Sequence, residues 1–204
     1  MIKIVNYGSG NIQAILNIYK RLNIDCKVAN TPNELLDATK IILPGVGAFD
    51  ETMGQLLTSG FKETLDEMVL TKKTPIIGIC VGMQILANKS EEGTLPGLGY
   101  INGIVKKFDV SSFTRKPHLP HLGWNSISIE NDHQLFNKID VEKGFYFLHT
   151  YFFHCKSESN ILAKTDYGGE FSSAVTNNNV FGMQFHPEKS HSNGVQLFKN
   201  FAEL

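Results

Sequence analysis

Apolar positions in the first hundred residues alternate between two rhythms. Residues 1–6 form a short apolar run that Gly8-Ser9-Gly10 interrupts, and from there Ile12, Ile15, Leu16, Tyr19 and Leu22 recur at helical spacing. This predicts a strand, a turn and a helix. Residues 26–29 read as a second strand, Thr31-Pro32-Asn33-Glu34 as a helix start, and residues 40–43 as a third strand that ends at Pro44. Two or three helical turns are expected between Phe49 and Leu70, a fourth strand over 74–79 and a helix over 81–87. Strand and helix in this alternation predict an α/β fold with a mostly parallel sheet flanked on both faces by helices. Beyond about residue 100 the texture changes to short runs rich in aromatic and β-branched residues: 104–108, 125–129, 145–153, 173–175 and 180–185. These add strands in the second half, and only the last dozen residues read as helix. No repeat, low-complexity tract or linker divides the chain, so residues 1–204 are expected to form one domain.

Composition narrows the partners. The chain has 204 residues, 42% of them hydrophobic, which is enough to bury a core without staples. Nineteen basic residues against twenty acidic ones give a net charge of -1, with no electrostatic footprint for nucleic acid or a membrane surface. A small molecule or another protein is the expected partner. Cys26, Cys80 and Cys155 are an odd number at wide spacing, matching neither a disulfide framework nor a zinc site. A reducing compartment follows. The sequence enters a strand-like run at Ile2 without a basic leader, and no apolar run is long enough to span a bilayer, so the cytosol is the expected location.

Candidate chemistry gathers where predicted strands end, since ligands of parallel sheets sit outside the carboxyl ends of the strands. In Gly78-Ile79-Cys80-Val81-Gly82 the spacing is that of a nucleophile elbow, whose glycines let strand and helix approach closely around a strained nucleophile. The helix expected next would turn its partially positive amino end toward the sulfur. A free cysteine is also commonly a buried small apolar residue, and the elbow alone leaves both readings open. Cys26 and Cys155 lack glycine framing and take the second reading.

A nucleophilic cysteine needs a base, and the base an orienting group. Among seven histidines, His186 in Gln184-Phe185-His186-Pro187-Glu188-Lys189 is best placed, at the end of a strand-like run. Pro187 is expected to keep the chain out of a helix, so that extended backbone projects His186 and Glu188 to the same side. A carboxylate there fixes the tautomer of the imidazole and stabilises its protonated form. A surface His-Pro turn with a solvated glutamate is the alternative. His118 and His121 lack a third ligand at matching spacing, and no metal is expected. Pro44-Gly45-Val46-Gly47 follows the third strand, and its glycines allow the Val46 and Gly47 N–H groups to turn toward the elbow as oxyanion donors, with the Val81 amide beside them. A plain turn is the other reading of that loop.

Pro44-Gly45-Val46-Gly47-Ala48-Phe49, Gly78-Ile79-Cys80-Val81-Gly82-Met83-Gln84 and Gln184-Phe185-His186-Pro187-Glu188-Lys189-Ser190, in this order, resemble the class I (triad) glutamine amidotransferases. Tyr7-Gly8-Ser9-Gly10-Asn11, Ser90-Glu91-Glu92-Gly93, Gly97-Leu98-Gly99, Pro120-His121-Leu122-Gly123-Trp124-Asn125 and Tyr146-Phe147-Leu148-His149-Thr150-Tyr151 extend the likeness over nearly the whole chain. They are similar to the glutaminase subunits of imidazole glycerol phosphate synthases. The resemblance implies a flavodoxin-like class I amidotransferase fold without cofactor. It implies a Cys80-His186-Glu188 triad that hydrolyses L-glutamine through a cysteine thioester. Gly47 and Gln84 match positions around the bound glutamine, and Thr150 and Tyr151 the segment that holds its amino-acid end. Ammonia would pass to a (β/α)8-barrel cyclase subunit that forms imidazole glycerol phosphate and AICAR in histidine biosynthesis, with Asn11, Trp124 and Lys189 on the face of the resulting heterodimer. By residue type alone Asn11 is a helix-start turn, Lys189 a solvated lysine, and Trp124 either an interface residue or a half-buried aromatic. Ala48 departs from the pattern at a variable position. His191, directly after Ser190, is more similar to paralogues that feed sugar amidotransferases of surface-polysaccharide pathways. A cysteine peptidase or deglycase of the same fold group, or a non-catalytic binding module, are the other classes; Glu188 and Gln84 favour the glutaminase over a peptidase, and the intact triad argues against the module.

Overall fold

A computed structural model describes residues 1–112 and 119–204 of the chain. The first half follows the expected alternation: β1 (Ile2–Val5), α1 (Ile12–Arg21), β2 (Cys26–Ala29), β3 (Lys40–Gly45), α2 (Phe49–Thr58), α3 (Phe61–Asp66), β4 (Ile76–Cys80) and α4 (Val81–Gln84). Strands β2, β1, β3 and β4 lie side by side and parallel. Every residue of β1 and β4 is buried. Parallel strands covered on both faces carry unbroken apolar runs, and Ile-Ile-Gly-Ile-Cys in β4 is one.

The second half supplies β5 (Lys89–Ser90), β6 (Gly103–Lys107), β7 (His121–Asn125), β8 (Ser128–Ile129), β9 (Phe145–His149), β10 (Tyr151–Cys155), β11 (Ile161–Asp166), β12 (Glu170–Asn177), β13 (Val180–Met183) and α5 (His191–Glu203). Strand β13 enters the main sheet parallel to β4, and β12 returns antiparallel beside it. The sheet then continues through β10 and β6 to β5, while β11 pairs with β12 and β8. Strands β7 and β9 form a separate antiparallel ribbon. It is fastened to the sheet by aromatic packing, with Phe145 stacked on Phe185 at 3.9 Å between centroids. Among the described residues no helix is long and apolar enough to cross a membrane.

Several boundaries differ from the sequence expectation. The aromatic run 145–153 is two strands in two sheets, broken at Thr150, because β9 bonds to β7 and β10 to β6. A continuous apolar pattern does not show a change of hydrogen-bond partner. The run 125–129 likewise belongs to two strands, β7 and β8, paired with different neighbours. Thr31 leads only into a 3-10 turn, Pro32–Leu35. The helix expected over 81–87 stops at Gln84: the carbonyls of Ile85, Leu86 and Ala87 accept from Leu98, Ile101 and Gly99 instead of from helical amides. Strand β11 was not legible as a strand, since Ile-Leu-Ala-Lys-Thr-Asp has no alternation of its own.

Candidate active site

The carboxyl ends of β3, β4 and β13 open onto one cleft of about 430 Å³. Cys80, at the end of β4, has φ 54° and ψ -113°, a backbone conformation uncommon for a residue with a Cβ and maintained only where the surroundings enforce it. Gly82 shows how. A Cβ there would lie 2.0 Å from the Leu43 carbonyl oxygen, so the turn after Cys80 packs backbone to backbone against β3. The helix after the elbow has only four residues, shorter than expected, with Val81 as its first. The N–H of Val81 is therefore among those that a helix leaves without an internal acceptor.

His186 follows β13, the parallel neighbour of β4. Its N–H donates to the Tyr146 carbonyl at 2.8 Å, and the Ser190 hydroxyl donates to its carbonyl at 2.6 Å. The expected extended backbone is absent here: Pro187–Lys189 is a 3-10 turn with Pro187 at its first position. Proline tolerates a helical first turn because the missing N–H is unused there. The turn still brings the side chains together, with His186 Nδ1 and Glu188 Oε1 at 2.8 Å and both side chains almost fully buried. A carboxylate oxygen accepts, so Nδ1 carries the proton and Nε2 is left to face the Cys80 sulfur.

Burial drives the His186 imidazole down, but the hydrogen bonds and charges of Cys80 and Glu188 outweigh it and raise its pKa to about 10. For Glu188, burial pushes the pKa up, and the bond and charge of His186 outweigh that and hold it below the usual carboxylate value, with help from Asn11. Asn11 Nδ2 donates to Glu188 Oε1 at 2.7 Å. It stands at the N-cap position of α1 yet makes no capping bond with its side chain. Residue type alone gave no sign of this contact.

The Pro44–Gly47 loop lines the cleft with Val46 and Gly47. The Val46 N–H, expected as an oxyanion donor, instead donates to the Ser9 hydroxyl at 2.9 Å, and that hydroxyl donates to the Val46 carbonyl at 3.0 Å. Gln84, Thr150 and Tyr151 line the opposite side, where the chain crosses from β9 to β10. Lys189 also reaches the cleft, with its ammonium 5.7 Å from the centre of the Tyr146 ring. Trp124 does not line it. It sits exposed on β7 and stacks on His191, rings 5.3 Å apart and 12° from parallel. Of the two histidines weighed as metal ligands, His118 lies outside the described residues, and His121 uses both ring nitrogens in hydrogen bonds to His149 and Asn125.

Three residues at or under the cleft stand in the quoted motifs without a role given to them there. Glu92 lines it and accepts from the Phe49 N–H at 2.9 Å. His149 lines it too, its Nδ1 donating to the Tyr151 carbonyl at 2.8 Å and its Nε2 accepting from His121 Nδ1 at 2.9 Å. Burial keeps both rings neutral, lowering His121 to about 4 and His149 to about 3, where the neighbouring His121 adds to the effect. The third is Gln184, fully buried next to Cys80.

The model of the class-I glutamine amidotransferases matches residues 3–204. The imidazole glycerol phosphate synthase subunit HisH of Bdellovibrio bacteriovorus is 53% identical over 204 residues, covering all of both chains. The subunit HisH of Leptospira interrogans is 48% identical over the same span, and HisH 2 of Pseudomonas aeruginosa is 44% identical over 206 residues, again covering both chains in full. Among solved structures, one titled as a glutamine amidotransferase superposes with a TM-score of 0.71 at 20% identity over all of both chains. PurLQS of Thermotoga maritima gives 0.72 at 19% identity, over 99% of this chain and 97% of that one. These two likenesses show the shared fold. With the matched model and the full-length relatives agreeing on one family, and the strand-end cleft carrying its motifs, this chain belongs to the class-I glutamine amidotransferases.

Proposed function

We propose that the chain is the glutaminase subunit of an imidazole glycerol phosphate synthase, hydrolysing L-glutamine with Cys80, His186 and Glu188. The observation that carries this is His186, held by Glu188 at 2.8 Å with its other nitrogen toward Cys80, beside a cleft large enough for one amino acid. His186 takes the proton of the Cys80 thiol, the sulfur attacks the side-chain amide carbon, and His186 passes that proton to the nitrogen as the C–N bond breaks and ammonia departs, leaving a thioester. Water, deprotonated by His186, then attacks the thioester and releases glutamate and the thiol. Glu188 keeps the imidazole in the required tautomer throughout. Gln84, Thr150 and Tyr151 fit the walls around the substrate, and the Glu92 carboxylate offers its α-ammonium a partner. Gly47 and Val81 supply oxyanion donors. Val46 joins them only after releasing Ser9, so the geometry favours a resting state that turns glutamine over slowly.

Ammonia is taken up by a synthase subunit of the (β/α)8-barrel type, docked over the cleft mouth where Lys189 and Asn11 lie and covering the exposed Trp124 as well. A second reading is favoured by one feature. His191 stacks on Trp124 and would meet the partner with it, which fits a subunit that feeds a sugar amidotransferase instead. Cys80→Ser tests the chemistry: the variant should fold and bind its partner, lose glutamine-dependent activity, and keep ammonia-dependent activity in the complex. Substantial glutamine hydrolysis by the variant sinks the triad assignment. Mixing the chain separately with a cyclase subunit and with an adenylating sugar amidotransferase from the same cell, and measuring glutamate release, decides the partner. Peptide and glycated substrates run alongside test the peptidase and deglycase alternatives.

A further inference from the structure

Polar side chains under the cleft form one connected chain whose donor sense is set by a group that cannot be reversed. The Tyr151 carbonyl only accepts. It takes Gln84 Nε2 at 3.0 Å and His149 Nδ1 at 2.8 Å. Gln84 Nε2 also donates to Gln184 Oε1 at 3.1 Å. With its oxygen committed there, Gln184 must turn its nitrogen the other way, toward Cys80 Sγ at 3.9 Å. Reversing either amide would set two acceptors, or two donors, face to face in a site where Gln84 and Gln184 are both buried from water. Besides His186 and Gln184, the sulfur has a neighbour of opposite character, the Leu148 carbonyl at 3.8 Å. A thiol can donate to that carbonyl, whereas a thiolate, which only accepts, is met by the Gln184 N–H as well as by His186.

We propose that Gln184 is a further catalytic residue of this site, its Nε2–H donating to the sulfur of Cys80 in the thiolate form and holding it for attack. This rests on Cys80 as the nucleophile. Gln84 and the Tyr151 carbonyl act through Gln184 as positioning groups. The donor serves the thiolate before the thioester forms and again when the thioester is hydrolysed, because both moments place negative charge on sulfur.

Gln184→Met keeps the length of the side chain and removes the donor. In the full-length chain, iodoacetamide labelling of the Cys80 peptide is followed by mass spectrometry from pH 5 to 9, with thermal melts to confirm folding. The labelling profile should shift upward by about one pH unit, so that on its rising limb, below the midpoints of both chains, the labelling rate at a given pH falls about tenfold. Gln84→Leu, which leaves Gln184 in place but frees its amide to turn, should give a smaller shift in the same direction and covers the case in which Gln184→Met does not fold. Profiles coinciding with the unaltered chain overturn the proposal. Glutamate release by the unaltered chain is measured in parallel. A shifted labelling profile in a chain that releases no glutamate, either alone or mixed with a cyclase subunit or a sugar amidotransferase, would keep the donor to sulfur and remove the glutaminase reading instead.

Discussion

Gly194 lies in the first turns of α5, where residue preference and packing oppose each other. In an isolated helix, glycine to alanine is worth about 0.8–1.0 kcal/mol in favour of alanine. Here a Cβ would stand 1.7 Å from the Pro187 carbonyl oxygen and 2.6 Å from its carbon. Ordinary contact begins near ~3.5 Å, so helix and turn would have to part by more than ~1 Å. Overpacking of this kind costs about 1–3 kcal/mol, which leaves Gly194→Ala between neutral and ~2 kcal/mol less stable. At ~2–4 °C per kcal/mol for a chain of this size, Tm falls by at most ~8 °C. Activity is the sharper readout, because the displaced turn, Pro187–Lys189, carries Glu188. A 1 Å misplacement in a catalytic constellation can cost ~10²-fold, and a loss of that order in kcat for glutamate release is expected. Melting curves and steady-state turnover on the same preparation check it. A raised Tm with undiminished kcat would refute the reasoning.

Asn11→Ala removes one of the two donors to Glu188 Oε1, while Oε2 already has no hydrogen-bond partner among the described residues; at ~1.5–3 kcal/mol for a bond to a charged group, kcat should fall by about tenfold or more, with KM little changed. Turnover intact in the isolated chain would leave Asn11 without this role. Ser9→Ala releases the Val46 N–H, and glutamate release by the chain alone should rise by up to ~10²-fold, the worth of one oxyanion donor; an unchanged rate would mean that Ser9 does not restrain the loop. His121 and His149 have lowered folded pKa values, about 4 and about 3, against ~6.5 unfolded. Their contribution to stability is therefore present above pH 6.5 and lost as the pH falls toward 4, because the unfolded chain takes up protons that the buried rings refuse. Urea midpoints should decline over that window, and His121→Phe should make the decline shallower by one proton.

The α/β half of the fold was legible because its strands are buried on both faces and its helices carry apolar residues at helical spacing, as α1 and β4 show. The second half was less so. Residues 145–153 look like one strand, and the change of sheet at Thr150 depends on partners far along the chain. Cys80 was legible through its flanking glycines, whose need is now visible in the approach of Gly82 to Leu43. The meeting of His186 and Glu188 was expected for a reason that failed locally: the backbone between them forms a turn, and their contact comes from the turn's compactness. The contacts of Asn11, Ser9 and Gln184 were hidden because a polar side chain's partner is set by tertiary contact. Spacing in the sequence carries no record of it.

Cys80 ends β4 and His186 follows β13, adjacent strands that the chain builds far apart in time. A ribosome makes β4 and Cys80 about a hundred residues before β13, and at ~5–20 residues per second roughly 5–20 s pass between them. Until β13 arrives, one side of β4 is an unpaired edge bearing Ile76, Ile77 and Ile79, a template for mispairing with other nascent chains. The same order has a protective side: a prematurely terminated polypeptide that stops before Val180 lacks both His186 and the strand that completes the centre of the sheet, so under the proposed mechanism unfinished products of translation carry a cysteine but leave the cell's glutamine untouched.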